Sequence, residues 1–183
     1  MGEIKSIENS RIGNQNQVIL HIYDVPEANN YIKILAPGLG VFHTGVQVFG
    51  KEYSFGGHQK NFSGIFVTPP KDTRSLSVNE TFKYKQSKLI GYTKLSDEEI
   101  QDIVKEMGTK QFRGIDYNLI RKNCNHFSDA FCKKLCGKSI PQWINQLVKI
   151  VAQYPWLEQR IPKEYITPKR LAEDVKNKSN KTK

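Results

Sequence analysis

The 183-residue chain carries 28 Lys and Arg against 18 Asp and Glu, a formal net charge of +10, and 38% of its residues are hydrophobic. That length suits one domain with a substantial core and is short for two. No apolar run reaches bilayer-spanning length, no secretory signal is visible, and no arginine-rich, aromatic-interleaved face points to nucleic acid, so the excess charge reads as a solvated basic surface.

Residues 1–17 are mostly polar and read as a flexible N-terminus. Met1-Gly2-Glu3-Ile4-Lys5-Ser6 matches a loose myristoylation pattern. Glu3 beside the glycine and the lack of a following polybasic run argue against membrane anchoring. Val18–Tyr23 is the first expected strand, stopped by Asp24-Val25-Pro26. A loop with Pro37, Gly38 and Gly40 leads into a strand over Val41–Phe49. Gly50-Lys51 is the expected two-residue turn, and Glu52–Phe55 the returning strand, ended by Gly56-Gly57. Ile65–Thr68, before Pro69-Pro70, and Phe82–Ile90 read as further strands.

Three helices follow. Ser96 and Glu99 form a capping box, Leu95 and Ile100 a hydrophobic staple, and Ile100, Ile103, Val104 and Met107 one apolar stripe that Gly108 is expected to end. The second helix runs from Asn123 to Cys136, capped by Asn123 and stopped by Gly137. The third is expected over Ser139–Tyr154, with Ile144, Leu147, Val148 and Val151 buried and Pro155 as the stop. Residues 156–168 are expected to wrap the body through Trp156, Leu157 and Tyr165. The domain therefore reads as 18–168, followed by a basic tail over 169–183, with Lys176, Lys178, Lys181 and Lys183, that reads as disordered.

Chemistry concentrates in Lys122-Asn123-Cys124-Asn125-His126-Phe127-Ser128. A cysteine in the first turn of a helix meets unpaired N–H groups and the positive end of the dipole, which favour the thiolate. The competing reading is a small core residue, because Cys124, Phe127, Phe131, Cys132 and Leu135 share one helix face. That reading suits Cys132 and Cys136 better than Cys124, which sits between two asparagines. Zinc held by Cys124, His126, Cys132 and Cys136 is disfavoured: no Cys-x-x-Cys pair exists, and His126 is expected on the polar face with Asp129 and Lys133. Three cysteines crowded in one helix indicate a reducing compartment, cytosolic with nuclear access, rather than a disulfide framework.

A proton carrier for Cys124 is available far upstream in Val41-Phe42-His43-Thr44-Gly45-Val46. His43 shares a strand face with Gly45 and Gln47, and the glycine is expected to leave room for a substrate backbone. A strand histidine can equally be structural. Of the other histidines, His21 reads as buried, His126 lies too near in sequence, and His58, after Gly56-Gly57, is the strongest rival base.

The segment from Gly40 through His43 to His58 resembles the histidine motif of the PPPDE peptidases, the desumoylating isopeptidase family, and Lys122–Ser128 resembles its cysteine motif. Phe62–Phe66, Glu80–Lys85, Leu135–Asn145 and Pro162–Pro168 are similar to the desumoylating isopeptidase two branch. The likeness spans Val18 to Pro168, with the histidine motif first. Gln47 departs from the glutamate common at its place in that branch.

The resemblance implies an α/β (α+β) class with a circularly permuted papain-like fold, an antiparallel sheet packed on helices. It implies a Cys–His dyad without a cofactor or metal, Cys124 as nucleophile and His43 as general base, acting on ubiquitin or SUMO-like modifier conjugates at lysine side chains through a thioester. The oxyanion donor stays open between the Cys124 backbone N–H, the Asn123 amide and a side chain from Asp24–Pro37. Alternatives are a protein acyl thioesterase using the same dyad and a non-catalytic module that binds ubiquitin-like proteins. No oligomeric state follows from the sequence.

Overall fold

The computed structural model describes residues 16–26, 28–30, 39–76, 81–154, 156 and 159. The readings of the Met1–Ser6 pattern, of Pro37 and Gly38, of Pro155, Leu157 and Tyr165, and of the basic tail fall outside them. Among the described residues, five strands form one antiparallel sheet in the order β4-β3-β2-β1-β5. They are β1 (Gln17–Asp24), β2 (Phe42–Val48), β3 (Lys51–Phe55), β4 (Ile65–Thr68) and β5 (Lys83–Tyr92).

Alternation along the strands sends Val18, Leu20 and Ile22 of β1, Val46 and Val48 of β2, and Tyr53 and Phe55 of β3 to one buried face. Helix α3 (Cys124–Cys136) lies on that face and contributes Phe127, Phe131, Cys132 and Leu135. The contact is largely aromatic: Tyr53 meets Phe131 edge-on at 5.4 Å, and Phe55 meets Phe112 at 5.1 Å. The opposite face holds a smaller cluster of Tyr23, Leu76 and Phe82. Leu76 comes from a short helix, α1 (Thr73–Leu76), that the sequence reading did not anticipate. Asp72 starts it by accepting from Ser75 Oγ at 2.7 Å and from the Arg74 N–H at 3.2 Å.

Three boundaries differ from expectation. The hairpin turn is Phe49-Gly50, not Gly50-Lys51, because Val48 pairs with Lys51. Both turn residues have positive φ, 48° and 72°, as a type I′ turn requires; Gly50 adopts it freely and Phe49 follows. Helix α2 (Asp97–Lys110) has the expected Ser96–Glu99 capping box but runs past Gly108. Gly108 is a close-approach residue: a Cβ there would lie 2.2 Å from Ser63 Oγ. The third helix begins late. A 3-10 turn (Gln142–Asn145) precedes α4 (Gln146–Gln153). Pro141 holds Ser139 and Ile140 out of the helical region, and the Ile140 N–H goes to Asp129 Oδ1 at 3.0 Å. Ile144 and Val151 are buried as expected, while Leu147 and Val148 are half-buried. No helix of the described residues is long and apolar enough to cross a membrane.

Candidate active site

The tip of α3 is fixed by a reciprocal cap. Asn123 Oδ1 accepts the His126 N–H at 3.0 Å, and His126 Nδ1 accepts the Asn123 N–H at 3.1 Å. A histidine thus does what Glu or Gln does in the usual capping box. Asn123 Nδ2 donates to the Leu119 carbonyl at 2.7 Å, and Asn145 Nδ2 reaches His126 Nε2 at 3.3 Å. This corrects the expectation that His126 faces outward with Asp129 and Lys133: it is half-buried, and burial lowers its pKa.

Cys124 opens the helix and is buried. Its Sγ lies 4.0 Å from the Phe42 carbonyl and 3.8 Å from Asn125 Oδ1. The helix start draws the sulfur toward the thiolate, while two oxygen acceptors favour keeping its proton. The strand opposite is held by the same turn of helix. Asn125 Nδ2 donates to the Phe42 carbonyl at 3.0 Å. The Thr44 hydroxyl donates to Asn125 Oδ1 at 2.9 Å and approaches Ser128 Oγ at 2.8 Å. The motifs around His43 and Cys124 therefore meet, and the sulfur lies against the carbonyl of the residue that precedes His43.

The His43 side chain lies on the other side of β2 from Thr44. Its ring packs on Phe82 with centroids 4.8 Å apart, and on Tyr23 at 6.0 Å. Nε2 is buried without a hydrogen-bond partner among the described residues. Burial pushes its pKa down to about 4, so the imidazole is neutral at pH 7.

Gly45 does not open a substrate channel. A Cβ there would lie 2.1 Å from Glu52 Oε1, so the glycine makes room for a buried carboxylate that the sequence reading missed. Glu52 is fully buried and accepts the Tyr23 hydroxyl at 2.8 and 2.9 Å and the Lys71 N–H at 2.8 Å. Beside it, His21 Nε2 meets Gln47 Oε1 at 2.7 Å, and Nδ1 meets Ser87 Oγ at 2.6 Å. Burial lowers the His21 pKa, with Gln47 and Glu52 pulling the other way. A signal existed: Glu52 pairs with Gln47 across the hairpin and so shares its face with Gly45.

His58, the rival base, is structural. Its Nε2 donates to the Ser63 carbonyl at 2.9 Å, and Nδ1 accepts the Lys60 N–H at 3.2 Å. Cys132 is buried in the core, where burial raises its pKa and keeps the thiol protonated. Among the described residues no group of three or more His, Cys, Asp or Glu is arranged to hold a metal ion. Sequence reasoning also missed the aromatic shelf beside the sulfur: Phe42 meets the half-exposed Trp143 edge-on at 5.1 Å, and Lys85 Nζ lies 5.5 Å from the Phe42 centroid.

Comparison with known proteins bears on this arrangement. The profile of the family described as "PPPDE putative peptidase domain" matches residues 16–165. The chain is 44% identical over 161 residues to a protein of Caenorhabditis elegans named Desumoylating isopeptidase 1 homolog, covering 88% of this chain and 47% of that protein. It is 35% identical to a DeSI-like protein of Arabidopsis thaliana, covering 73% of this chain and 55% of that one. It is 28% identical to Desumoylating isopeptidase 1 of Homo sapiens, covering 76% and 79%. The chain thus spans about half the length of the nematode and plant relatives. An antiparallel sheet packed on a helix, with the histidine strand preceding the cysteine helix in the chain, is the α+β arrangement expected of a permuted papain-like fold. With both motifs in place inside the matched region, the chain belongs to the PPPDE peptidase family.

Proposed function

We propose that this protein is a cysteine isopeptidase that removes ubiquitin or a ubiquitin-like modifier such as SUMO from lysine side chains, with Cys124 as nucleophile and His43 as general base. The observation that carries the reading is the contact between the Cys124 helix tip and the Phe42–Thr44 segment, made by Asn125 on both sides of His43. Relatives named desumoylating isopeptidases support SUMO conjugates as the substrate class.

In this reading the resting imidazole is neutral rather than an imidazolium. Burial leaves His43 unprotonated at neutral pH, free to take a proton. For the reaction the His43 side chain must leave its packing on Phe82 and Tyr23 and swing to within hydrogen-bond reach of Sγ, roughly 3–3.5 Å, where it accepts the sulfur's proton as the sulfur bonds to the carbonyl carbon joining modifier to lysine. The C–N bond then breaks, His43 gives the proton to the leaving lysine amine, and a thioester remains on Cys124. Water, deprotonated by His43, hydrolyses it. The side-chain amides of Asn123 and Asn29 are already committed, to Leu119 and to Val41 and Asp24, so neither can serve as oxyanion donor without giving up a bond.

The test is incubation with ubiquitin and SUMO carrying C-terminal electrophiles. A covalent adduct mapped to Cys124, lost in Cys124→Ala and strongly slowed in His43→Ala, is expected. An adduct on Cys132 or Cys136, or one indifferent to His43, overturns the assignment. Reaction with acyl-thioester substrates but neither modifier would select a thioesterase instead.

A further inference from the structure

One buried amide touches both motifs. Asn125 Nδ2 donates to the Phe42 carbonyl at 3.0 Å, and its Oδ1 accepts the Thr44 hydroxyl at 2.9 Å. Phe42 and Thr44 flank His43, so a single side chain grips the backbone on either side of the proposed base. The same Oδ1 lies 3.8 Å from Cys124 Sγ. Asn145 Oδ1 also accepts from Nδ2, at 3.4 Å.

Packing alone does not call for this arrangement. Thr44, Asn125 and Ser128 form a buried polar group in an interface that is mostly apolar, and further along the same strand Val46 and Val48 fill it without polar atoms. Buried polar groups weaken such an interface unless each is paired, and here the pairing is complete only as a set. What the set provides, and an aliphatic pair would not, is a directional tie between the helix turn that holds the sulfur and the strand residues beside the imidazole.

We propose that Asn125 is a positioning residue of the reaction, holding the Phe42–Thr44 backbone against the α3 tip so that the backbone carrying His43 keeps one place relative to Cys124. The inference rests on the reading of those two residues as the reacting pair. Asn125 takes no proton and contacts no modifier; it acts through alignment. Misplacing a catalytic group by a fraction of its reach costs on the order of 10²-fold in rate, so the loss belongs in kcat rather than KM.

The experiment compares Thr44→Val, Thr44→Ser, Asn125→Ala and Asn125→Asp in the full chain. Fluorogenic C-terminal amides of ubiquitin and SUMO give kcat and KM, thermal melts report the fold, and iodoacetamide alkylation of Cys124 against pH reports the sulfur. Thr44→Val keeps the shape but loses the hydroxyl; it should fold with a modestly lowered melt, because Asn125 Oδ1 and Ser128 Oγ each lose a buried partner, lose about ten-fold or more in kcat, and leave KM within about two-fold. Thr44→Ser restores the hydroxyl and should recover most of the rate. Asn125→Asp removes the donor to Phe42 and sets a charge beside Sγ, so its alkylation profile should move to higher pH. If Asn125 variants do not fold, the Thr44 pair decides. Wild-type turnover that Thr44→Val leaves intact overturns the inference. A wild type with no Cys124-dependent turnover or adduct fails the functional reading instead.

Discussion

Both faces of the sheet bury side chains over β1–β3, yet they are built differently. On the α3 side Val18, Leu20, Ile22 and Val46 meet Phe127 and Phe131, and polar atoms gather at one contact, Thr44 with Asn125 and Ser128. On the other side a chain of polar groups runs from Ser87 through His21 to Gln47, beside Glu52 and the Tyr23 hydroxyl, with Phe82 and Leu76 over it. The first face places a nucleophile by packing and a few directional bonds. The second buries the Glu52 carboxyl group and so depends on its partners staying in place, because a buried polar group stripped of its hydrogen bond costs about 1–3 kcal/mol. Substitutions at the helix tip should therefore remove turnover and spare the fold, and substitutions around Glu52 should do the reverse.

The largest effect expected is Cys124→Ala. Loss of the nucleophile should lower turnover by on the order of 10³-fold or more, while the asparagine cap and the Asn125 contacts, made by other residues, hold the helix start. Turnover of a modifier amide together with a thermal melt checks both halves. Full activity in the variant, or a collapsed melt, breaks the contrast between the faces.

Gly45→Ala probes the far face. The new Cβ would lie 2.1 Å from Glu52 Oε1 and 2.7 Å from Ser54 Oγ, and neither atom can retreat without leaving its buried place. A destabilisation of about 2–4 kcal/mol follows from overpacking plus disturbance of the Tyr23 and Lys71 bonds to the carboxylate. Denaturant unfolding measures it. A wild-type midpoint would mean that Glu52 is not held there.

How much of this was legible in the sequence differs in the same way between the faces. The α3 face could be read because its information is local. The alternation of β1, the Asn123 cap and the Gly137 stop, which takes a left-handed φ of 71°, each lie within a few residues of what they specify. The far face could not, because Glu52 is satisfied by Tyr23 and Lys71, which are brought in by pairing and by a turn that no local pattern encodes. The same limit explains Gly108 and Gly45. Each reads as a stop or an opening from its neighbours in sequence, and each is in fact the space for a side chain from elsewhere, Ser63 and Glu52. His126 misled for the opposite reason: its helix phase suggested the polar face, but its position three residues after Asn123 gave it a capping role.

Acid should act on the far face next. Burial pushes His43 from 6.5 to about 4, and lowers His21 as well. Between those two values the unfolded chain binds the proton and the folded one does not, so stability is full above pH 6.5 and falls as pH drops toward 4. His43 alone contributes up to about 3 kcal/mol to that fall. Unfolding midpoints measured across the window should show the decline, and His43→Phe, which keeps a ring against Phe82, should make it shallower. A flat profile in the wild type would show that the imidazole reaches water.

Cys132→Ala should do least, and it tests whether a thiol on the α3 face matters by its identity or by its place. Cys132 lies two turns along from Cys124, buried in the core, and burial raises its pKa so that it stays a thiol. It has neither the helix-start N–H groups nor the Phe42 carbonyl beside it. Its only physical contribution is the volume of one sulfur atom, which places its loss near that of a single buried methylene, about 1 kcal/mol. Turnover should match wild type, and iodoacetamide should still label Cys124 in the folded variant. If Cys132→Ala instead abolished turnover in a folded protein, reactivity would not follow position on the helix, and the distinction between the capped tip and the packed body of α3 would fall.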